Sequence, residues 1–299
     1  MDIKKILITG SSGMLGRDIY DVLSEVYEVV GVDLRGMPPG VRQTDFVGDL
    51  TDRDFLDQTL RAVNPDMIIH CAAIVNLMIC EENRDLTNRL HLDVTSQLTD
   101  HGAPIIFIST DSVFDGKQGN YHEEDQVGPV NYYGLSKWKG EEIVRRNPKH
   151  LILRTNIFGS SCPLGGSIAE WAIKNFIDGS IISGFTDVYF NSIYTNHLAE
   201  IIRQLIEGKV HGTFHAGSSN IVSKYSFLKY LEAKLMGSSK LVACSQSSEI
   251  QIYPERPINP TLNVDKLKKL VDVPTVEDCI DALVKDYLEV KYECNSIGR

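Results

Sequence analysis

Short aliphatic and β-branched runs alternate, through the first half of the chain, with segments whose apolar positions recur every three to four residues. Residues 5–9 form the first run, and residues 14–25 then place Leu15, Ile19, Val22 and Leu23 on one face of a predicted helix. Val29-Val30-Gly31-Val32, Met67-Ile68-Ile69-His70-Cys71, Ile105-Ile106-Phe107-Ile108-Ser109 and Leu151-Ile152-Leu153 read as further strands, with helices near 52–63, 86–100 and 134–147 between them. Strands that are apolar on consecutive positions, separated by helices, predict an α/β fold: a doubly wound parallel sheet covered on both faces.

The alternation loosens after about residue 160. Gly165-Gly166 interrupts it, a helix is expected at 167–177 and a β-like segment at 181–190, and helical periods return at 194–207, 223–236 and 275–288. The expected organisation is a first domain over 1–160, completed by elements near 181–217, and a smaller C-terminal lobe over 161–299 interleaved with it. No repeat of fixed period and no low-complexity segment is present.

Composition narrows the class. The chain has 299 residues, 42% hydrophobic and 23% charged, which fits a globular protein and excludes collagen, a coiled coil and a disordered chain. Its net charge is −10, and the basic residues do not cluster, so no nucleic-acid partner is expected. No apolar run approaches the ~20 residues that span a bilayer, so neither a membrane partner nor a signal peptide is expected. The six cysteines (Cys71, Cys80, Cys162, Cys244, Cys279, Cys294) contain no C-x-x-C pair, and a cytoplasmic setting is expected. No metal site is expected. His211 and His215 would share a helix face, but Gly212-Thr213-Phe214 between them reads as strand. Zinc, serine-hydrolase and P-loop motifs are missing from the sequence.

Two motifs carry chemistry. Gly10-Ser11-Ser12-Gly13-Met14-Leu15-Gly16 lies between the first strand and the first helix, where glycines permit a tight turn and let backbone N–H groups approach a pyrophosphate at a helix N-terminus. Asp33 follows the second strand, where a carboxylate can accept hydrogen bonds from an adenosine ribose; this favours NAD. Arg35, two residues on, and Arg17, after the third glycine, would instead suit the 2′-phosphate of NADP, so both cofactors stay open. The second motif is Tyr133-Gly134-Leu135-Ser136-Lys137, whose phenol and ammonium project from one helix face at i and i+4. An ammonium there is expected to lower the phenol's pKa and make it an acid towards a carbonyl oxygen. Thr110, at the end of the strand that runs into Ser109-Thr110-Asp111, can donate to the same oxygen.

Together these residues resemble the extended short-chain dehydrogenase/reductase family, and within it the dTDP-4-dehydrorhamnose reductases and their sugar-nucleotide relatives. The similarity includes Ile8 to Gly16, Gly48-Asp49-Leu50-Thr51-Asp52, Cys71-Ala72-Ala73, Cys80-Glu81-Glu82-Asn83, Ser109 to Gly116, Tyr121, Asn131, Leu153-Arg154-Thr155 and Arg256-Pro257. It implies a Rossmann-type sheet with a smaller C-terminal substrate-binding lobe, NAD or NADP as cofactor, and reduction of the 4-keto group of a nucleotide-activated 6-deoxy sugar. It implies that Gly10, Ser12, Gly13, Met14, Leu15 and Gly16 hold the pyrophosphate, that Asp33, Leu34 and Arg35 meet the adenosine ribose, and that Asp49 and Leu50 meet the adenine. Cys71, Ala72, Ala73 and Ser109 would line the cofactor cleft, with Tyr133, Lys137 and Thr110 catalytic. Asp111, Ser112, Val113, Phe114 and Asn156 would line the sugar pocket, and Arg256 would contact the diphosphate.

The sequence departs from the family where Ser112 replaces a frequent tyrosine, Met78 an aspartate, His91 an active-site asparagine and Ile157 an aromatic residue. His91 is expected to be a satisfied helix histidine rather than a new acid. An epimerase or dehydratase that regenerates its nicotinamide, and a dinucleotide-binding regulatory subunit like the relative that associates with methionine adenosyltransferase, are the alternatives. Helices flanking the Y-x-x-x-K segment often pair in this family, which makes a homodimer possible.

Overall fold

The computed structural model describes residues 3–37, 43–160, 166–235, 241–245 and 253–297, the last eight as backbone; Cys162 and Gly165 lie outside the described residues. The first half builds β1 (Lys5–Thr9), α1 (Met14–Leu23), β2 (Glu28–Asp33), β3 (Phe46–Val47), α2 (Arg53–Val63), β4 (Met67–His70), α3 (Leu77–Glu82), α4 (Arg84–Asn88), α5 (Val94–Asp100), β5 (Ile105–Thr110), α6 (Tyr132–Val144) and β6 (Leu151–Thr155). A strand over Gly212–Ala216 joins β6, and the sheet order is 212–216, β6, β5, β4, β1, β2, β3. Every neighbouring pair is parallel.

The strands obey the alternation that a doubly covered sheet requires. Ile6, Ile8, Ile69 and Leu153 are buried among α1, α8 (Thr195–Glu207) and the helices packed behind them. Leu7, Ile68, Phe107 and Ile152 are buried in a second cluster with residues of α2, α5 and α6. Each fully buried aliphatic side chain contributes roughly 1.5–3 kcal/mol. Strand order reverses between β1 and β4, so a crevice opens beyond the C-terminal ends of those strands, where ligands of such sheets bind.

Side-chain caps fix the helices that border the crevice. Asp52 Oδ1 accepts from Asp54 N and Phe55 N at the start of α2, and Asn76 and Asn83 cap α3 and α4. Asn131 Oδ1 accepts from Gly134 N at 2.9 Å, which sets the first turn of α6. The helix expected over 86–100 is interrupted: α4 and α5 are joined by a wider π turn over Arg89–Asp93 that turns His91 inward.

Beyond β6 the chain forms α7 (Ile168–Ile177), α8, α9 (Lys224–Leu235), α10 (Asp265–Lys268) and α11 (Val276–Ile297), with two-stranded pairs between 157–158 and 193–194, 189–190 and 222–223, and 182–185 and 241–244. The loop after β5 is tied to the C-terminal half: Tyr121 N donates to Thr261 O and Asn259 N to Gly116 O. Asn131 Nδ2 donates to Glu255 O, bringing the segment that carries Arg256 to the start of α6. Among the described residues no helix is long and apolar enough to cross a membrane.

Candidate active site

The glycine loop is shaped by close approach. Gly10 adopts φ +71°, and a Cβ there would lie 2.7 Å from Ala72 N; a Cβ on Gly16 would lie 2.1 Å from Gly10 O. The N-terminus of α1 has no side-chain cap and no acidic residue in its first turn, so its leading N–H groups remain available to an anion. The buried Ser11 Oγ has no partner. These features fit a dinucleotide pyrophosphate.

The remaining cofactor candidates divide by what their side chains do. Asp33 accepts from Ser12 N (3.0 Å) and Arg35 N (3.4 Å), bracing the loop, while Leu34 and Arg35 are exposed beside it. Asp49 accepts from Thr51 N and Oγ1, both 2.8 Å, in an exposed turn. Leu15 and Leu50 are shut in the two core clusters, so only their backbone faces the cleft. Cys71, Ala72 and Ala73 are half-buried after β4, where Ala72 N donates to Thr9 Oγ1. Arg17 is turned away from the loop: its guanidinium donates to Ser160 O at 2.6 Å and lies 3.9 Å from Asp18.

Tyr133 lies in the first turn of α6, with Lys137 one turn on. Burial pushes the phenol's pKa up; the hydrogen bond with Thr110 lowers it, and the charge of Asp111 raises it again. The sequence-based expectation that Lys137 lowers the phenol is therefore corrected, since desolvation outweighs every favourable contact. Lys137 is itself almost fully buried, its ammonium 4.1 Å above the Phe107 ring, and burial lowers its pKa to about 8 against the opposing pull of Glu141.

Asp111 is buried at the end of β5 and accepts from Thr110 Oγ1 (3.2 Å), Ser112 Oγ (3.2 Å) and Asn156 Nδ2 (2.6 Å). Burial still holds its pKa above the usual carboxylate range. Val113 and Phe114, assigned by resemblance to the sugar pocket, face elsewhere. Both are fully buried in a cluster with Tyr121 and Leu262, and Phe114 stacks on Tyr121 with ring centroids 4.2 Å apart. Packing of these apolar side chains anchors the Thr110–Ser112 turn.

His91 is satisfied. Its Nε2 accepts from Ile74 N (2.9 Å), so Nδ1 carries the proton and donates to Ser136 Oγ (2.8 Å), which donates in turn to Tyr133 O (2.9 Å). Burial lowers its pKa to about 2, so it stays neutral and links the loop after β4 to α6.

Several contributors had no assigned role in the sequence. Glu141, fully buried one turn beyond Lys137, accepts from Ser109 Oγ (2.5 Å) and from Arg154 Nε (3.0 Å) and Nη2 (2.8 Å). Ser109 thereby turns its hydroxyl into this network. Lys224 is the first residue of α9. Its amine is half-buried and senses the charges of Arg256 and Asp111. A cation at a helix N-terminus opposes the helix dipole, and that mismatch is the one sequence signal that marks it.

The sequence profile described as the RmlD substrate binding domain matches residues 4–288. The chain belongs to the RmlD substrate-binding domain family. It is 28% identical over 288 residues to the "Probable low-salt glycan biosynthesis reductase Agl14" of Haloferax volcanii, covering 92% of this chain and 96% of that one. It is likewise 28% identical over 282 residues to the methionine adenosyltransferase 2 subunit beta of Bos taurus, covering 89% and 82%. Its fold matches the dTDP-4-dehydrorhamnose reductase of Bacillus anthracis in complex with NADP, with a TM-score of 0.84 at 24% identity, covering 95% and 100%. The proteins it resembles thus include one named as a reductase and one named as the subunit of another enzyme.

Proposed function

We propose that the protein reduces the 4-keto group of a nucleotide-activated 6-deoxy sugar with NADH or NADPH. The observation that carries this reading is the hydrogen bond between Tyr133 and Thr110 at the C-terminal end of β5, with Lys137 one turn on along α6. The N–H groups of the first turn of α1, over Met14 to Gly16, would hold the pyrophosphate, and Asp33 with Arg35 the adenosine end. The nicotinamide supplies the hydride when bound.

The chain's own residues then manage the oxygen. The Tyr133 phenol, held protonated by burial, donates its proton to the oxygen as the keto carbon accepts the hydride, and the product is an alcohol. Thr110 Oγ1, whose one proton goes to Asp111 in the free protein, would turn it to the same oxygen and stabilise the developing charge there. Lys137, cationic below about pH 8, would meet the nicotinamide ribose. Asp111 and Asn156 orient sugar hydroxyls.

A panel of keto and non-keto nucleotide sugars, scored for NADH and NADPH oxidation, tests the reading: stoichiometric oxidation with one 4-keto sugar is expected. Isomerised sugar without net oxidation would indicate an epimerase. A second reading, a dinucleotide-binding regulatory subunit, is favoured by the similarity to methionine adenosyltransferase 2 subunit beta over 89% of this chain. Stoichiometric capture of a partner, with no oxidation on the panel, would support it.

A further inference from the structure

Two hydrogen-bonded chains of fixed direction run through the core from the loop after β4, and one of them ends on the residue that carries the phenol. In that chain Ile74 N donates to His91 Nε2 (2.9 Å), His91 Nδ1 to Ser136 Oγ (2.8 Å) and Ser136 Oγ to Tyr133 O (2.9 Å). The other starts where Ala72 N donates to Thr9 Oγ1 (3.3 Å) and ends where Thr95 Oγ1 donates to His91 O (2.8 Å). Thr95 has no second proton, so His70 Nε2 donates to it (3.2 Å) and His70 Nδ1 accepts from Thr9 Oγ1 (2.7 Å). Both imidazoles are buried and neutral, and each is held in one tautomer, Nε2–H at His70 and Nδ1–H at His91. The chains meet at His91, inside the π turn. That turn is pressed against α6, where a Cβ on Gly140 would lie 3.1 Å from His91 O; the start of the second chain is pressed against the glycine loop, where a Cβ on Gly10 would lie 2.7 Å from Ala72 N.

We infer that His91 and Ser136 are positioning residues that couple the seat of the dinucleotide to the placement of the Tyr133 phenol. The inference rests on the reading of Tyr133 as the proton donor. A serine bond to the carbonyl three residues earlier is local to α6 and forms without help; the donor from His91 is what ties that turn to the loop after β4. Without the tie the phenol drifts from the keto oxygen, and a misplacement of about 1 Å costs on the order of a hundredfold in rate. The two nitrogens of His91 therefore act on different steps. Nε2 holds the loop that lines the cofactor cleft, and Nδ1 holds the residue that bears the acid.

The test separates the two nitrogens. Asparagine can place an amide N–H where Nδ1 stands but loses the acceptor at Nε2; glutamine can place a carbonyl oxygen where Nε2 stands but loses the donor at Nδ1. His91→Gln and Ser136→Ala should lower kcat on the best 4-keto nucleotide sugar about tenfold to a hundredfold, with KM and the Kd for NADPH within about twofold. His91→Asn should keep kcat within about threefold and weaken NADPH about threefold to tenfold, the contribution of one hydrogen bond to the loop. Tyrosine isotopically labelled at Cζ reports placement without turnover. The Tyr133 resonance of the NADPH-loaded protein, identified by its loss in Tyr133→Phe, should shift or split in His91→Gln and Ser136→Ala and stay in place in His91→Asn. Equal losses of kcat and of NADPH affinity across the three variants would mark a purely structural role and overturn the assignment. So would an unchanged kcat and an unmoved resonance in Ser136→Ala, which removes only a hydroxyl. If the natural protein oxidises NADPH with no keto sugar, the reduction reading fails by itself and the resonance decides the coupling: moved in His91→Gln and Ser136→Ala alone it upholds it, and unmoved in those two it overturns it.

Discussion

Replacing Arg154 by methionine probes the link between fold and site. Arg154 and Glu141 are 1% and 0% exposed, and the guanidinium donates to both carboxylate oxygens and to Glu123 O at 3.1 Å. Removing one member of a buried pair costs ~3–5 kcal/mol, because the other charge stays behind without its partner. Glu141 would keep Ser109 and a 2.9 Å contact from Arg145 near the surface, so the lower end, ~3 kcal/mol, is expected. At ~2 °C per kcal/mol for a large domain this is a fall in Tm of about 6 °C. Urea unfolding followed by circular dichroism measures the free-energy change, and a cycle with Glu141→Met and the double variant measures coupling. The double variant should lose less than the sum of the single losses, since no buried charge is then left unpaired. Glu141 also lies one turn below Lys137, so the single variant should weaken NADPH binding. A loss under 1 kcal/mol for Arg154→Met, or simple additivity in the cycle, would refute the account of this network.

Other outcomes follow from the geometry. Gly16→Ala places a Cβ 2.1 Å from Gly10 O, so the loop must open; dinucleotide affinity, read by fluorescence titration, should fall at least about tenfold. His70 and His215 are held neutral with pKa values near 3, and His91 near 2, chiefly by burial. Unfolded histidines take up protons below ~6.5, so stability should be full above that pH and fall as acid is added; urea midpoints from pH 7 to 4 check the slope. Burial lowers the pKa of Lys137 to about 8, so its loss of charge should depress turnover above that pH, while unfolding free energy rises between about 8 and the free-lysine value because only the unfolded chain still holds the proton.

The sheet was legible because β1, β4, β5 and β6 are apolar on consecutive positions, a pattern only a doubly covered parallel sheet explains. Two-residue β3 and the π turn at His91 carry no periodic signal of their own, since tertiary contacts create them. The glycine loop was readable through position as well as composition. The electrostatics were not: the same Y-x-x-x-K spacing fits a depressed or a raised phenol pKa, and burial, which spacing does not encode, decides the sign. Val113 and Phe114 illustrate a related limit. A motif locates them beside the pocket, but their apolar side chains pack with Tyr121 and Leu262.

The most direct measurement of the central claim is single-turnover oxidation of NADPH on the best 4-keto nucleotide sugar by the natural protein and Tyr133→Phe. Loss of the acid should slow the step by ~10²–10⁴-fold with the Kd for NADPH unchanged, because only the proton donor has gone. Equal rates in the two proteins would contradict the assignment of Tyr133 and with it the proposed chemistry.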